Sequence, residues 1–300
     1  MTTEPFRFTP ALCGWLGIDD IQIGFAAQYL PFAKAAPGLV RAHGRDAVLL
    51  YKAWSEVLGQ PPDYPAQTIG DCVGQGHAHA NDLLQCIEIA TGKAAEFQSS
   101  ATEFIYACSR EVAGILGPQD GSYGSAAVKA MQDFGMVCRE AYGERGTYDG
   151  KRAKRWGQSG APQQIKDDAK PFLLGNAARV TTWEELAGAL TNGYPVTICT
   201  ALGFSLKRDK DGFCKREGKW GHCMFLAGIR HDREGACCVQ SWGADVPSGP
   251  LALDQPTYSF WIEKRDVEAI LHEGDSWALS GAPDFKPRAL PSSWNWGLAA

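Results

Sequence analysis

From Cys72 onward, small and apolar residues recur every three or four positions. Gly76, Ala80, Leu83, Leu84 and Ile87 share one helical face until Thr91-Gly92 ends the run. Phe104, Cys108, Val112 and Ile115 mark a second helix before Gly117-Pro118. Ala127 to Phe134 mark a third, closed by Gly135. Upstream, Ala47, Leu50, Trp54, Val57 and Leu58 fall on one face, predicting a helix from Asp46 that Gly59-Gln60-Pro61-Pro62 stops. After about residue 175 the period changes. Thr182-Trp183-Glu184-Glu185 has capping-box form and opens a short helix ending near Asn192-Gly193. Apolar runs at 194–199, 223–229, 236–242 and 258–262 then read as strands. Arg230 to Gly235 is a hairpin loop between the second and third of these. Residues 146–170, with Lys151, Arg152, Lys154 and Arg155 beside Trp156, read as an exposed loop.

These shifts divide the 300-residue chain into four parts. Residues 1–65 form a proline-rich N-terminal extension, a cover or an assembly arm. Residues 66–170 are a helical lobe carrying Cys72, and 171–275 a β-rich lobe carrying His222. Residues 276–300 are a Pro- and Trp-containing tail without a clear period. A content of 45% hydrophobic and 21% charged residues excludes a disordered chain, and ten cysteines are too few for a disulfide scaffold. A net charge of −5 argues against nucleic acid as partner. No apolar run is long enough to span a membrane. The first residues lack a basic stretch leading into an apolar one, so no signal peptide is expected. The expected location is cytoplasmic, with reduced thiols.

Three local features carry chemistry. Gln67-Thr68-Ile69-Gly70-Asp71-Cys72 runs directly into a helix, placing Cys72 where unpaired N–H groups and the dipole favour a thiolate. The same N–H groups, with a side-chain amide as second donor, form an oxyanion site. Asp71 is expected to cap the helix. In Gly221-His222-Cys223 a histidine opens an apolar strand. In Gln240-Ser241-Trp242-Gly243 an amide follows the partner strand. A hairpin centred near residue 231 brings positions 222 and 240 within a few residues of opposite one another, so Gln240 is a candidate to hold the His222 tautomer. Nucleophile, base and orienting amide thus occur in order. His77 and His79, five and seven residues after Cys72, read as packed or solvated. His43 and His231 show no partner in the sequence.

The ordered set resembles the papain-like cysteine peptidases, in the divergent form of bacteria and phages. Gly70-Asp71-Cys72 resembles the nucleophile motif, Gly221-His222-Cys223-Met224 through Gly228 the histidine strand, and Gln240-Ser241-Trp242-Gly243 the family's Asn-Ser-Trp-Gly. Ser99 to Arg110 resembles the second helix of the left lobe. Asp120-Gly121-Ser122-Tyr123-Gly124 sits at the substrate-binding edge, and Gly193-Tyr194-Pro195-Val196 enters the right lobe. The likeness covers about 65 to 265. It implies an α+β fold of two lobes, helical on the left, with a β-rich antiparallel sheet or barrel on the right. By carry-over Cys72 is the nucleophile, His222 the general base and acid, and Gln240 the orienting amide. Trp242 shields that pair, Gln67 and Cys72 hold the oxyanion, and Gly121, Ser122, Tyr123 and Gly124 bind substrate backbone. Three positions depart from the family. Gln240 replaces Asn, Ala66 stands where the oxyanion Gln is found with Gln67 one residue on, and Val73 replaces an aromatic residue.

The first functional reading is a cysteine peptidase acting on a peptide or protein substrate through a Cys72 thioester, with no cofactor and no metal. The second is a papain-fold protein of weak or lost activity, serving as a binding or structural component, such as a part of a phage particle. Residues 1–65 or the tail, with Trp294 and Trp296, would then face an assembly partner. A third reading, a metal site from Cys214, His222, Cys223, Cys237 and Cys238, lacks a C-x2-C pair. Adjacent strand cysteines also point to opposite faces.

Overall fold

A computed structural model describes residues 7–41, 47–93, 95–139 and 147–296. Its helices are α1 (Asp20–Ala26), α2 (Phe32–Ala35), α3 (Pro37–Arg41), α4 (Lys52–Leu58), α5 (Cys72–Ala90), α6 (Thr102–Val112), α7 (Gly124–Asp133), α8 (Gly150–Ser159), α9 (Gln163–Ala169), α10 (Trp183–Thr191) and α11 (Lys264–His272). Its strands are β1 (Ala47–Leu49), β2 (Asn176–Arg179), β3 (Val196–Phe204), β4 (Arg216–Arg230), β5 (Gly235–Val239), β6 (Ser259–Glu263), β7 (Ser276–Ser280) and β8 (Asn295–Trp296).

The strands form one antiparallel sheet in the order β2-β7-β3-β4-β1-β8. β5 lies on the other edge of β4, and β6 lies beyond β5. This is the β-rich lobe. Helices α5 to α9 make the other lobe, with a small apolar core of its own around Phe104, Ala107, Cys108, Ala130 and Val137. The two-lobed α+β architecture is therefore as the sequence implies.

Helix α5 joins the lobes. Nearly all of its 19 residues are buried, so it presents small and apolar residues on every face. Two glycines let neighbours approach it closely. A Cβ on Gly76 would lie 3.0 Å from the Cys223 sulfur, and one on Gly74 would lie 2.6 Å from the Thr102 carbonyl oxygen. β4 thus packs on one side of the helix and α6 on the other. This contact sets the first turn of α5 against residues 221–223.

Several elements differ from the sequence reading. Residues 47–49 are a strand held between β4 and β8 rather than the start of a helix, and only Lys52–Leu58 is helical. Asp46 and His43 lie outside the described residues. Ser276–Ser280, inside the segment without a period, is the fully buried strand β7 between β2 and β3. The Trp294 indole is buried and donates to Glu56 at 2.8 Å, so it packs the fold rather than facing outward. The basic cluster at 151–155 belongs to helix α8, not to a loop.

Within that cluster Arg152 is buried. It meets the fully buried Glu103 carboxylate at 3.2 Å, and Arg139 meets the same carboxylate at 3.1 Å. Glu103 also accepts from Asp149 N, tying α8 to α6. Glu103→Ala leaves two guanidinium groups without their shared anion. It is expected to lower unfolding free energy by about 3–5 kcal/mol, read from the urea midpoint at constant slope.

Candidate active site

Cys72 is the first residue of α5 and is fully buried. Its sulfur accepts hydrogen bonds from Gly14 N at 3.2 Å and from Cys223 N at 3.4 Å, and lies 3.9 Å from Gly221 O. The nucleophile candidate therefore sits against the backbone on both sides of His222. No direct hydrogen bond joins Cys72 to the imidazole. Asp71 occupies the N-cap position without a capping hydrogen bond. Its carboxylate instead accepts from the Gln75 side chain at 3.3 Å, because that side chain rises from the next turn of the same helix.

His222 is also fully buried, and neither ring nitrogen has a hydrogen-bond partner among the described residues. The ring stacks on Trp242 at 4.3 Å and 29°, and meets Trp220 edge-on at 6.1 Å. Trp242 thus lies over the imidazole. The hairpin closes at Arg230 opposite Gly235, and a bulge shifts the register between Leu226 and Gly228. Carried past Val239, that register sets Trp242 rather than Gln240 opposite His222. The Gln240 amide folds back on its own loop. Its oxygen accepts from Trp242 N at 2.7 Å and its nitrogen donates to Val246 O, with no hydrogen bond to His222. The methylene that glutamine has beyond asparagine gives it this reach.

An N-terminal strap, residues 12–18, crosses the site and leaves no mark in the pattern of the sequence. Trp15 N donates to Gly221 O at 2.8 Å. Ser122 N donates to Gly14 O at 2.8 Å and Leu16 N donates to Ser122 O at 3.1 Å, so Trp15 pairs with Ser122 as a parallel bridge. The buried Gln67 amide donates to Leu12 O and to Ile69 O, each at 2.8 Å, and its oxygen accepts from the Ser241 hydroxyl. The Trp15 indole is buried and donates to Asp275 at 2.8 Å. Gly124 N and the Trp277 indole bond that same carboxylate. Tyr123 donates to Asp19 at the start of α1. Gly121 has φ of +105°, and a Cβ there would lie 2.9 Å from Gly14 O. The edge 121–124 and Gln67 thus converge on one peptide segment. Cys13, Gly14, Trp15 and Asp275 were not singled out by sequence, because these contacts join segments more than 50 residues apart.

Burial controls the protonation states. It pushes the Cys72 thiol well above its ordinary range, against the lowering effect of the two N–H donors. It also pushes the His222 imidazole down to about 3. Under the strap the pair is a neutral thiol and a neutral imidazole. Burial likewise raises Asp71 to about 8, so this carboxyl next to the nucleophile is largely uncharged at neutral pH.

Two further histidines are fully packed. His77 contacts Val73 O at 2.9 Å and the Thr197 hydroxyl at 3.2 Å, and His79 stacks on Tyr64 at 3.5 Å. Among the described residues no group of three or more His, Cys, Asp or Glu side chains is arranged to hold a metal. No described helix is long and apolar enough to cross a membrane.

No protein-family model matches the sequence, and no curated protein sequence matches it. Solved structures do match. Xylellain, a cysteine protease from Xylella fastidiosa, superposes with a TM-score of 0.64 at 16% identity, covering 93% of this chain and 99% of its own. Procathepsin B S9 from Trypanosoma congolense gives 0.59 at 11% identity, covering 92% and 87%. A structure from work on the mite allergens Blo t 1 and Der p 1 gives 0.56 at 12%, covering 90% and 80%. Likeness at such identities speaks to architecture, and by that measure the chain has the two-lobed fold of the papain-like cysteine proteases.

Proposed function

We propose that this chain is a papain-like thiol hydrolase that cleaves peptide bonds, held latent by its own N-terminal strap. The observation that carries the reading is the engagement of the cleft by a peptide backbone. Gln67, Ser122 and Gly221 all bond residues 12–16, beside the Cys72 sulfur. A cleft that binds peptide backbone at these atoms suits a peptide substrate once the strap leaves.

In that reaction Cys72 Sγ attacks the carbonyl carbon and His222 takes up the thiol proton. The Cys72 N–H, which as the first helical residue has no acceptor within the helix, and the Gln67 amide stabilise the oxyanion. His222 then passes its proton to the leaving amine. Water, activated by the same imidazole, hydrolyses the thioester. Trp242 keeps bulk water from the imidazole. Departure of the strap admits water to the pair and removes the burial that holds both groups neutral.

The test is labelling of the intact protein with E-64, with the adduct located by mass spectrometry. Selective modification of Cys72, faster in protein whose strap has been displaced, is expected. Labelling spread over the ten cysteines without preference would leave a scaffold role in its place.

A further inference from the structure

Of the ten cysteines, Cys13 and Cys138 alone are partly exposed. Cys13 lies in the strap directly before Gly14, whose N–H bonds the Cys72 sulfur at 3.2 Å. Gly14 N is ~2.4 Å from the Cys13 Cα along the chain, so that Cα lies within about 5.6 Å of the Cys72 sulfur. Both cysteines lie against the same residue. Gly221 O lies 3.9 Å from the Cys72 sulfur. A Cβ on Gly221 would also lie 3.9 Å from the Cys13 Cβ. The strap therefore brings a partly exposed thiol to the nucleophile and clamps the backbone on either side of it, through Leu12 O and Trp15 N.

We propose that Cys13 and Cys72 form a reversible disulfide that latches the strap over the nucleophile, with a low-molecular-weight disulfide such as glutathione disulfide as the oxidant. The inference rests on the hydrolase reading above for its consequence, but not for its chemistry. The partly exposed Cys13 thiolate attacks glutathione disulfide, forming a mixed disulfide and releasing one glutathione thiolate. The Cys72 thiolate then attacks the Cys13 sulfur, forming the internal bond and releasing the second. Two protein thiols are oxidised and one glutathione disulfide is reduced to two glutathione molecules, which carry away the two thiol protons. A dithiol reverses the sequence. The latched form has no nucleophile and cannot lose its strap, whereas the reduced form keeps only the backbone contacts. Latency then depends on redox poise.

The competing dithiol is Cys199 and Cys223, directly opposite each other on β3 and β4. Cys199 N bonds Asp275 O and Cys223 N bonds the Cys72 sulfur, so neither N–H is used between these strands at that point. This is the closer kind of cross-strand pair. Both thiols are fully buried, out of reach of a peptide-sized oxidant.

The experiment is incubation of the reduced full chain with glutathione disulfide, followed by intact mass and peptide mapping without reductant. The latch predicts an intact mass lower by about 2 Da, the mass of two hydrogens. It also predicts a linked peptide pair containing Cys13 and Cys72, and loss of that link in Cys13→Ser. Reaction with E-64 should fall by more than tenfold on oxidation and recover with dithiothreitol. Glutathione retained on Cys13 with Cys72 free, or a Cys199–Cys223 link in place of the expected one, overturns the proposal. A Cys13–Cys72 link in a protein whose reduced form stays inert to E-64 even with the strap displaced upholds the latch and sinks the hydrolase reading alone.

Discussion

Gly14→Val is expected to raise the rate of Cys72 alkylation by iodoacetamide by about a hundredfold, from the loss of about 3 kcal/mol of strap binding. A Cβ at position 14 would lie 1.9 Å from the Gly70 carbonyl oxygen and 2.4 Å from its carbon. These are backbone atoms just before the nucleophile helix and cannot swing aside as a side chain can. The strap must lift, losing the bonds of Gly14 N to Cys72, Trp15 N to Gly221 and Ser122 N to Gly14 O. Three such bonds at about 1 kcal/mol each account for the shift. The urea midpoint of the variant is measured alongside, because a general loss of folding would expose all ten thiols alike. Selective exposure of Cys72, with the midpoint lowered by no more than the lost strap binding, is the predicted result. An unchanged alkylation rate would mean that the strap does not cover the site in solution.

His222→Ala is expected to lower peptide hydrolysis by about 10²–10⁴-fold in the strap-displaced background, the usual worth of a positioned general base and acid. The imidazole is the titratable group adjoining the Cys72 contact on β4, one residue before the Cys223 N–H that bonds the sulfur. Its stack on Trp242 fixes the plane of the ring. The second histidine near this region, His77, has both nitrogens engaged with Val73 and Thr197 behind the helix, so it cannot substitute. His222→Gln, which fills more of the space under Trp242, separates loss of chemistry from loss of packing. Both variants should lose the pH dependence of kcat/KM assigned to the imidazole. Activity surviving in both would remove His222 from the mechanism.

The parts of this molecule that were legible in the sequence share one property: each is local. A cysteine at the start of a small-residue helix, a histidine opening an apolar strand and a tryptophan beyond the partner strand are written in short windows. The structure places Cys72, His222 and Trp242 together. The strap was hidden because Leu12, Gly14, Trp15 and Leu16 act through backbone groups on residues far along the chain. Such bonds leave no periodic pattern. β7 was missed because all five of its residues are buried, which removes the alternation that marks a half-exposed strand. β1 was read as helix because three strand residues precede a real helix whose face continues their spacing. Helix α8 carries four basic residues and little apolar surface, so its one buried cation, Arg152, could be recognised only from the carboxylate on α6.

The anchorage of the N-terminal region has a consequence for how inhibition would scale. Past the strap the chain docks α1 on α7 and α3 on α10, and then enters the sheet as β1, paired with β4 and β8. The strap is thus a ligand tied to its own receptor. A flexible tether holds its cargo at an effective concentration in the millimolar range, independent of how dilute the protein is. Dilution cannot relieve such inhibition. A single cut between the strap and β1, once the docked helices let go, turns a tethered ligand into a free peptide at the concentration of the protein itself. Escape then becomes irreversible in practice, without any change in a single contact at Cys72.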